Sequence, residues 1–171
     1  MVVTPYLDTL LLLLVAAAAI NDLASRRIPN LLLLSGFVAA LALHSLSPEP
    51  AKALLACFGG AAAGLLIFLP LYIIRGMAAG DVKMMATVGA FTGPPAALHI
   101  AVLAWCAGGV MALAIIIFRG RLRLALARLW SLVRQVALRL PVTRTEAQPS
   151  AGSMPYGVAI AAGTIYFLVS R

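Results

Sequence analysis

The sequence predicts an all-α integral membrane protein, a bundle of about six transmembrane helices. Hydrophobic residues make up 63% of the 171 residues and charged residues 11%, against about 45–50% and about 25% in a typical soluble chain. The apolar runs approach or exceed the length that crosses a bilayer, and no strand-like alternation accompanies them. A soluble domain of this size has too little interior to bury so much apolar surface.

Six apolar segments follow one another along the chain: residues 4–22, 31–46, 51–74, 81–93, 96–118 and 153–170. Proline, glycine or charged residues separate them, as is expected where helices stop. The first positive charge, Arg26, comes after the first segment, which predicts a retained first span and not a cleaved signal peptide. We therefore expect residues 1–171 to form a single transmembrane domain.

The basic residues predict the orientation of this bundle. With the N-terminus outside, all of the 13 lysines and arginines except Lys52 and Arg171 fall in inner loops. Positive residues in short loops stay on the cytoplasmic side of a membrane. The sequence therefore predicts that both termini lie outside.

The segment 119–152 lies between the fifth and sixth spans. Its first part, 119–144, has seven arginines, no acid, and large aliphatic residues at helical spacing. This combination is typical of an amphipathic helix on an anionic cytoplasmic leaflet; a plain inside-retaining loop is the alternative. Nucleic-acid binding is not expected, because the arginines alternate with aliphatic residues. The rest of the segment is predicted to be a flexible connector.

Several residue types give little indication of chemistry. Cys57 and Cys106 have no Cys-x-x-Cys spacing, so we expect buried free thiols. His44 and His99 are isolated, so no metal site is expected. Two glycine pairs with Gly-x-x-x-Gly spacing, 60/64 and 89/93, predict close packing between helices.

Two of the five acidic residues are predicted to share one membrane face. Asp22 falls at the inner end of the first span and Asp81 at the inner start of the fourth. Asp8 precedes Asp22 by about 21 Å along the same helix, so it belongs to the outer side. Glu49 and Glu146 lie in loops. Because charge within a membrane span is unfavourable, Asp22 and Asp81 are candidate functional residues.

The fourth segment is short for a membrane span. From Asp81 to Thr92 a helix extends about 18 Å, against a hydrocarbon core of about 30 Å. Either Asp81 begins its helix below the membrane surface, or residues 93–95 form a re-entrant turn on the far side. Gly76 and Gly80 are expected to let unwound backbone pack where Cβ atoms would clash.

A pair of facing aspartates at this depth suggests acid–base chemistry on water. Two neighbouring carboxyl groups share a proton more easily than both ionise. The ionised group can take a proton from water while the protonated group donates to a peptide carbonyl. The alternatives are a helix N-cap at Asp81 or a structural ion pair.

Three stretches around these positions resemble a known family. Asp22 lies in "NDLASRRIPN", Asp81 lies in "GMAAGDVKMMATVGAFTG", and the last span opens with "MPYGVAIAAG". In this order, over about residues 10–168, they resemble the type IV prepilin peptidases, bacterial inner-membrane aspartyl proteases of the GxGD type. The resemblance implies that Asp22 and Asp81 are the catalytic residues and that no metal or cofactor takes part. It also implies that the enzyme removes the short basic leader from pilin and pseudopilin precursors at the cytoplasmic face.

The match is closest to the short branch of this family, which serves Flp (tight-adherence) pili. Longer relatives carry an extra cytoplasmic domain with zinc-binding cysteines, which N-methylates the trimmed pilin. This chain has no room for that domain and no cysteine pair. The resemblance therefore implies proteolysis without methylation. Whether the basic segment contacts the pilus assembly machinery or only lipid stays open.

The resemblance also implies a set of supporting residues. Ala78 replaces the first glycine of GxGD, whereas Gly80 is kept. If that position needs a positive φ, alanine is unfavourable there by on the order of 1 kcal/mol. If the position needs only a small side chain, alanine is harmless, and we favour this second interpretation. Lys83 either acts on an aspartate or an acidic substrate side chain, or is a snorkelling anchor. Tyr156 and Gly157 are expected to line the site or brace the helices that carry the aspartates.

Two other functions stay open at this point. A small proton- or cation-coupled transporter predicts acids distributed across the membrane depth. An inactive family member could act as a scaffold in pilus assembly, and Ala78 is the only residue that supports this alternative.

Overall fold

A computed structural model describes residues 4–74, 76–120 and 154–171, together with the single positions 123, 127, 130, 131 and 134. Within these ranges the chain forms six α-helices and no strand. They are α1 (Thr4–Ser25), α2 (Asn30–Ser45), α3 (Pro50–Ile73), α4 (Ala79–Thr92), α5 (Pro94–Phe118) and α6 (Tyr156–Ser170). The predicted all-α fold is confirmed for this part of the chain.

Three of these helices are long and apolar enough to cross a membrane: Pro5–Ser25, Pro50–Ile73 and Pro94–Phe118. The helices α2 and α6 are also apolar, but they have only 16 and 15 residues, and α4 has 14. The described helices thus fit a membrane protein with three full-length apolar helices, two shorter apolar helices and the short helix α4. The side of the membrane on which the termini lie stays a prediction.

The chain divides into two compact units. One contains Met1–Gly108 and Pro155–Arg171, and the other contains Gly109–Met154. The basic amphipathic helix predicted over 119–144, and the connector after it, belong to the second unit and lie almost entirely outside the described residues. The buried core and the candidate site lie within the first unit.

Helix α4 is the most enclosed element of the first unit. Nine of its 14 residues are buried, and it packs against α1, α2, α3 and α6. Its short length therefore goes with a position inside the bundle, where neighbouring helices surround it.

Of the two cysteines, Cys57 is buried as predicted, but Cys106 is exposed on α5, so the expectation of two buried thiols was wrong for Cys106.

Helices α3 and α4 meet through their backbones. A Cβ atom added at Gly60 would lie 2.0 Å from the carbonyl oxygen of Gly89, and one added at Gly64 would lie 2.3 Å from that of Met85. No side chain fits at such distances, so the prediction of close helix packing is confirmed at Gly60, Gly64 and Gly89. Gly93 also takes part in this contact, because a Cβ atom at Gly60 would lie 2.8 Å from the Gly93 Cα. It is in addition the single residue between α4 and α5, where its φ of 80° favours glycine.

Candidate active site

Asp22 lies in the last turns of α1 and is buried, with 6% of its surface exposed. Its Oδ2 atom accepts a hydrogen bond of 2.8 Å from the backbone N–H of Gly157, the second residue of α6. The first N–H groups of a helix have no partner within the helix, and a carboxylate is favourable there because it complements the helix dipole. Asp22 therefore caps α6 from a different helix.

Gly157 leaves the space that this contact needs. A Cβ atom at position 157 would lie 2.9 Å from Oδ2 and 3.1 Å from Cβ of Asp22. Both distances are shorter than ordinary van der Waals contact, so a larger residue would push α6 and Asp22 apart. The sequence predicted that Gly157 lies near the aspartates, but not that its N–H binds one of them.

Asp81 is the third residue of α4 and is also buried, with 6% of its surface exposed. Its Oδ2 atom accepts a weaker backbone hydrogen bond of 3.3 Å from the N–H of Ala78. Ala78 is the N-cap residue, so the alternative that Asp81 itself is the N-cap is wrong. Its carboxyl group nevertheless binds a free N–H at the start of the helix.

The fold brings Asp22 and Asp81 together although 59 positions separate them in the sequence. Helices α1 and α4 pack directly against each other, and the two carboxyl groups are near enough to interact electrostatically. Each has one backbone N–H as a hydrogen-bond donor. The result is a pair of buried carboxyl groups between apolar helices.

Arg26, one of the basic residues that predict the orientation of the bundle, also lies close enough to Asp22 to interact with it electrostatically. Its backbone N–H bonds to the carbonyl oxygen of Asp22 at 3.0 Å, and its φ of 54° ends α1 in a left-handed conformation. A non-glycine residue adopts this conformation at a cost of about 1–2 kcal/mol. This strained link directly follows the helix end that carries Asp22.

Tyr156 lies beside the carboxyl pair and interacts electrostatically with Asp81. Its ring makes an edge contact with Phe68 of α3, with centroids 6.0 Å apart at 75°. On another side it contacts Gly108 of α5, where an added Cβ would lie 2.7 Å from Cε2. The sequence placed Tyr156 near the site but did not indicate Phe68 or Gly108, because no local pattern links these three residues.

The glycine-rich stretch before Asp81 is less strained than the sequence suggested. Ala78 has a φ of −81° and a ψ of 151°, which any residue adopts, so the favoured interpretation of Ala78 as conformationally harmless is confirmed. A Cβ at Gly80 would meet only Ile28, at the ordinary distance of 3.5 Å, and one at Gly76 would lie 3.3 Å from the Leu71 carbonyl oxygen. The expectation that a Cβ atom would clash with the backbone was therefore wrong for Gly80. At Gly76 the added Cβ would make a tight contact but not a severe clash.

Lys83 turns away from the aspartates. Its exposed Nζ donates a hydrogen bond of 3.0 Å to the side-chain oxygen of Asn30 at the start of α2. No ion pair joins Lys83 to Asp22 or Asp81, both of which are described. Lys83 and Asn30 instead border a groove of about 530 Å³ between α2, α3 and α4. Apart from Thr87, its remaining lining is apolar: Leu31, Leu33, Leu34, Phe37, Leu65 and Ala86.

A second contact joins α1 and α6 at their other ends. Arg171 donates to both carboxylate oxygens of Asp8, with 2.6 Å between Nη2 and Oδ1. The Asp22–Gly157 and Asp8–Arg171 contacts show that α1 and α6 run antiparallel. Asp8 is therefore remote from the buried pair, as the sequence predicted.

The fold and the site define a helical, strongly apolar protein with a buried pair of carboxyl groups. The sequence matches the type IV leader peptidase family over residues 9–113, which is more than half of the chain, and the chain belongs to this family. The matched range contains Asp22 and Asp81, whereas α6 lies outside it. Membership makes the protein a peptidase, and therefore a hydrolase with a protein substrate. No curated protein and no solved structure matches the chain.

Proposed function

We propose that the protein is an intramembrane aspartyl endopeptidase that removes the short basic leader from Flp-type prepilins and pseudopilins. Cleavage would take place at the cytoplasmic face of the bacterial inner membrane. One observation carries this proposal: Asp22 and Asp81 form an interacting, buried carboxyl pair in a chain of the type IV leader peptidase family. We assign both residues a catalytic role.

The two carboxyl groups have different surroundings, which supports a division of labour. Asp22 accepts the 2.8 Å hydrogen bond at the start of α6 and has the positive charge of Arg26 nearby; both are suited to a carboxylate. Asp81 has only the longer bond from Ala78. We therefore assign Asp22 as the base and Asp81 as the group that carries the shared proton.

The reaction then needs no group beyond water and this pair. Asp22 takes a proton from water through its Oδ1 atom, while the water oxygen attacks the carbonyl carbon of the scissile peptide. Asp81 gives its proton to the carbonyl oxygen, which forms a neutral tetrahedral intermediate. The C–N bond then breaks as Asp22 passes its proton to the leaving nitrogen and Asp81 recovers its own.

The groove beside α4 suits the approach of an apolar substrate from the bilayer. Lys83, at its edge, is two residues from Asp81 in the same helix. An apolar helix of the precursor docked in this groove would lie alongside α4, the helix that carries Asp81.

The connections between helices agree with the branch that cleaves without methylating. Between α1 and α5 each link has at most five residues, so no further domain is inserted there. We accordingly propose peptidase activity without N-methyltransferase activity.

Two observations weigh against the rival interpretations. Ala78, the reason to consider an inactive scaffold, has an ordinary backbone conformation. The transporter alternative predicted acids along a path through the membrane, but Asp8 and Glu49 are engaged in ion pairs with Arg171 and Lys52.

Cleavage by purified protein tests the proposal. The substrate is a synthetic precursor with a short basic leader and an apolar helix, and mass spectrometry detects the products. We expect Asp22→Asn and Asp81→Asn to slow cleavage on the order of a hundredfold or more, because each removes one half of the acid–base pair. Asp8→Asn is the matched control, since it makes the same change at the other end of α1.

Circular dichroism and thermal unfolding in the same detergent establish that all four proteins are folded. Near-normal cleavage by either Asp22→Asn or Asp81→Asn would refute the catalytic pair. Absence of cleavage by the folded wild-type protein would refute the proposed substrate class.

A further inference from the structure

The start of α6 lacks the usual means of fixing a helix end. Its N-cap residue is Pro155, which makes no side-chain hydrogen bond to the helix, whereas N-cap side chains normally bind the first free N–H groups. The Gly157 N–H therefore has the Asp22 carboxyl group as its hydrogen-bond acceptor, and Asp22 Oδ2 has this N–H as its donor. Something else must fix the first turn of α6 for this bond to keep its geometry.

Tyr156 is placed to do this. It is the first residue of α6 and directly precedes Gly157. Its ring contacts Phe68, which is completely buried, and lies against the bare backbone of Gly108. Phe68 in turn packs on Trp105, with ring centroids 6.0 Å apart. The first turn of α6 is thus attached to both α3 and α5.

Gly108 leaves the space that the Tyr156 ring needs. A Cβ atom there would lie 2.7 Å from Cε2 and 3.0 Å from the hydroxyl oxygen of Tyr156, both inside ordinary contact distance. The ring therefore occupies a gap that only glycine leaves. Aromatic pairs with this edge geometry are also favourable beyond the area they bury.

We propose that Tyr156 is a positioning residue for the peptidase reaction: its ring, held by Phe68 and Gly108, keeps the Gly157 N–H on Oδ2 of Asp22. The ring and not the hydroxyl has this role. The inference rests on the proposed function only for its effect on cleavage, because the hydrogen bond itself can be observed in protein that cleaves nothing. Catalytic groups must be held within about 0.5 Å of their working position, so a loosened first turn lowers turnover.

The kinetic test compares two substitutions of Tyr156 with one of its neighbour. Tyr156→Ala removes the ring, Tyr156→Phe keeps it without the hydroxyl, and Gly108→Ala displaces it from another helix. We expect Tyr156→Ala and Gly108→Ala to lower kcat by about tenfold or more with little change in KM. Tyr156→Phe should restore most of the turnover that alanine loses. Tyr166→Ala is the matched control, because Tyr166 lies on the same helix with 63% of its surface exposed.

The direct test is the amide resonance of Gly157 in 15N-glycine-labelled protein, assigned by its loss in Gly157→Ala. Asp22→Asn defines the shift of this N–H without its carboxylate acceptor. We expect Tyr156→Ala to move the resonance toward the Asp22→Asn position, and Tyr156→Phe to leave it near the wild-type position. Should Tyr156→Ala fail to fold, Tyr156→Leu and Gly108→Ala give the same comparison.

Two results would overturn the proposal: an unmoved Gly157 resonance in Tyr156→Ala, or a loss of turnover in Tyr156→Phe as large as in Tyr156→Ala. The second result would assign the role to the hydroxyl. If wild-type protein does not cleave the precursor but its Gly157 resonance responds as expected, the proposed substrate fails and the positioning role stands.

Discussion

Replacing Gly157 by alanine would test the contact on which the proposed site depends. The new Cβ would lie 2.9 Å from Oδ2 of Asp22, about 0.5 Å closer than the 3.4 Å at which ordinary contact begins. Relief of this overlap lengthens the hydrogen bond between Gly157 and Asp22 from 2.8 Å to about 3.3 Å or breaks it. A hydrogen bond to a charged group contributes about 1.5–3 kcal/mol, and each 1.36 kcal/mol changes a rate about tenfold. We therefore expect kcat to fall by about 10- to 100-fold.

Stability should respond differently from turnover. Alanine favours a helix over glycine by about 0.5–1 kcal/mol, which offsets part of the steric penalty, so the melting temperature should change little. The assay measures kcat, KM and thermal unfolding on the same preparation. Gly109→Ala is the control, because a Cβ there meets nothing within 4 Å. Wild-type turnover in a folded Gly157→Ala protein would refute the idea that this N–H must be held on Asp22.

Three further substitutions test other parts of the structure. Gly89→Ala would place a Cβ 2.1 Å from the Gly60 carbonyl oxygen, so we expect the free energy of unfolding to fall by about 1–3 kcal/mol or more. The measurement is the unfolding temperature, and an unchanged value would contradict the close contact between α3 and α4. Ala78→Gly should alter kcat by no more than about twofold, as is usual for an exposed, unstrained position, and a tenfold gain would mean that the alanine is a defect. Leu34→Trp should raise KM, because the larger side chain fills the groove. Leu98→Trp is the control and should leave KM unchanged, since the two leucines are similarly exposed, at 59% and 52%. Equal effects on KM would exclude the groove as the docking site.

Part of this arrangement could be predicted because it depends on local sequence. Apolar runs and the prolines, glycines and charges between them indicated all six described helices to within a few residues. Helical spacing separated Asp8 from Asp22 by about 21 Å, and the structure places Asp8 on Arg171 at the other end of α1. The spacing of Gly60 and Gly64 indicated close packing because neighbouring helices need small residues at regular intervals.

Other features depend on how the helices are arranged. Lys83 was a candidate partner of the aspartates, but α2 places Asn30 within its reach. Gly80 was expected to prevent a clash, yet its neighbour Ile28 stands at ordinary contact distance. Arg26 contributed to the predicted topology, but only the end of α1 places its charge near Asp22. Each of these outcomes involves residues that the sequence pattern does not connect.

The sequence by itself determined that this protein is a bundle of apolar helices with one acid at the end of α1 and another at the start of α4. It could do so because hydropathy, helix breaks and residue spacing are properties of single segments. Only the tertiary structure decided that the N–H of Gly157 binds Asp22 and that the ring of Tyr156 lies between Phe68 and Gly108. The physical reason is that hydrogen bonds and ring contacts require a fit of a few tenths of an ångström between helices far apart in the chain. Such a fit depends on the packing of all the helices together.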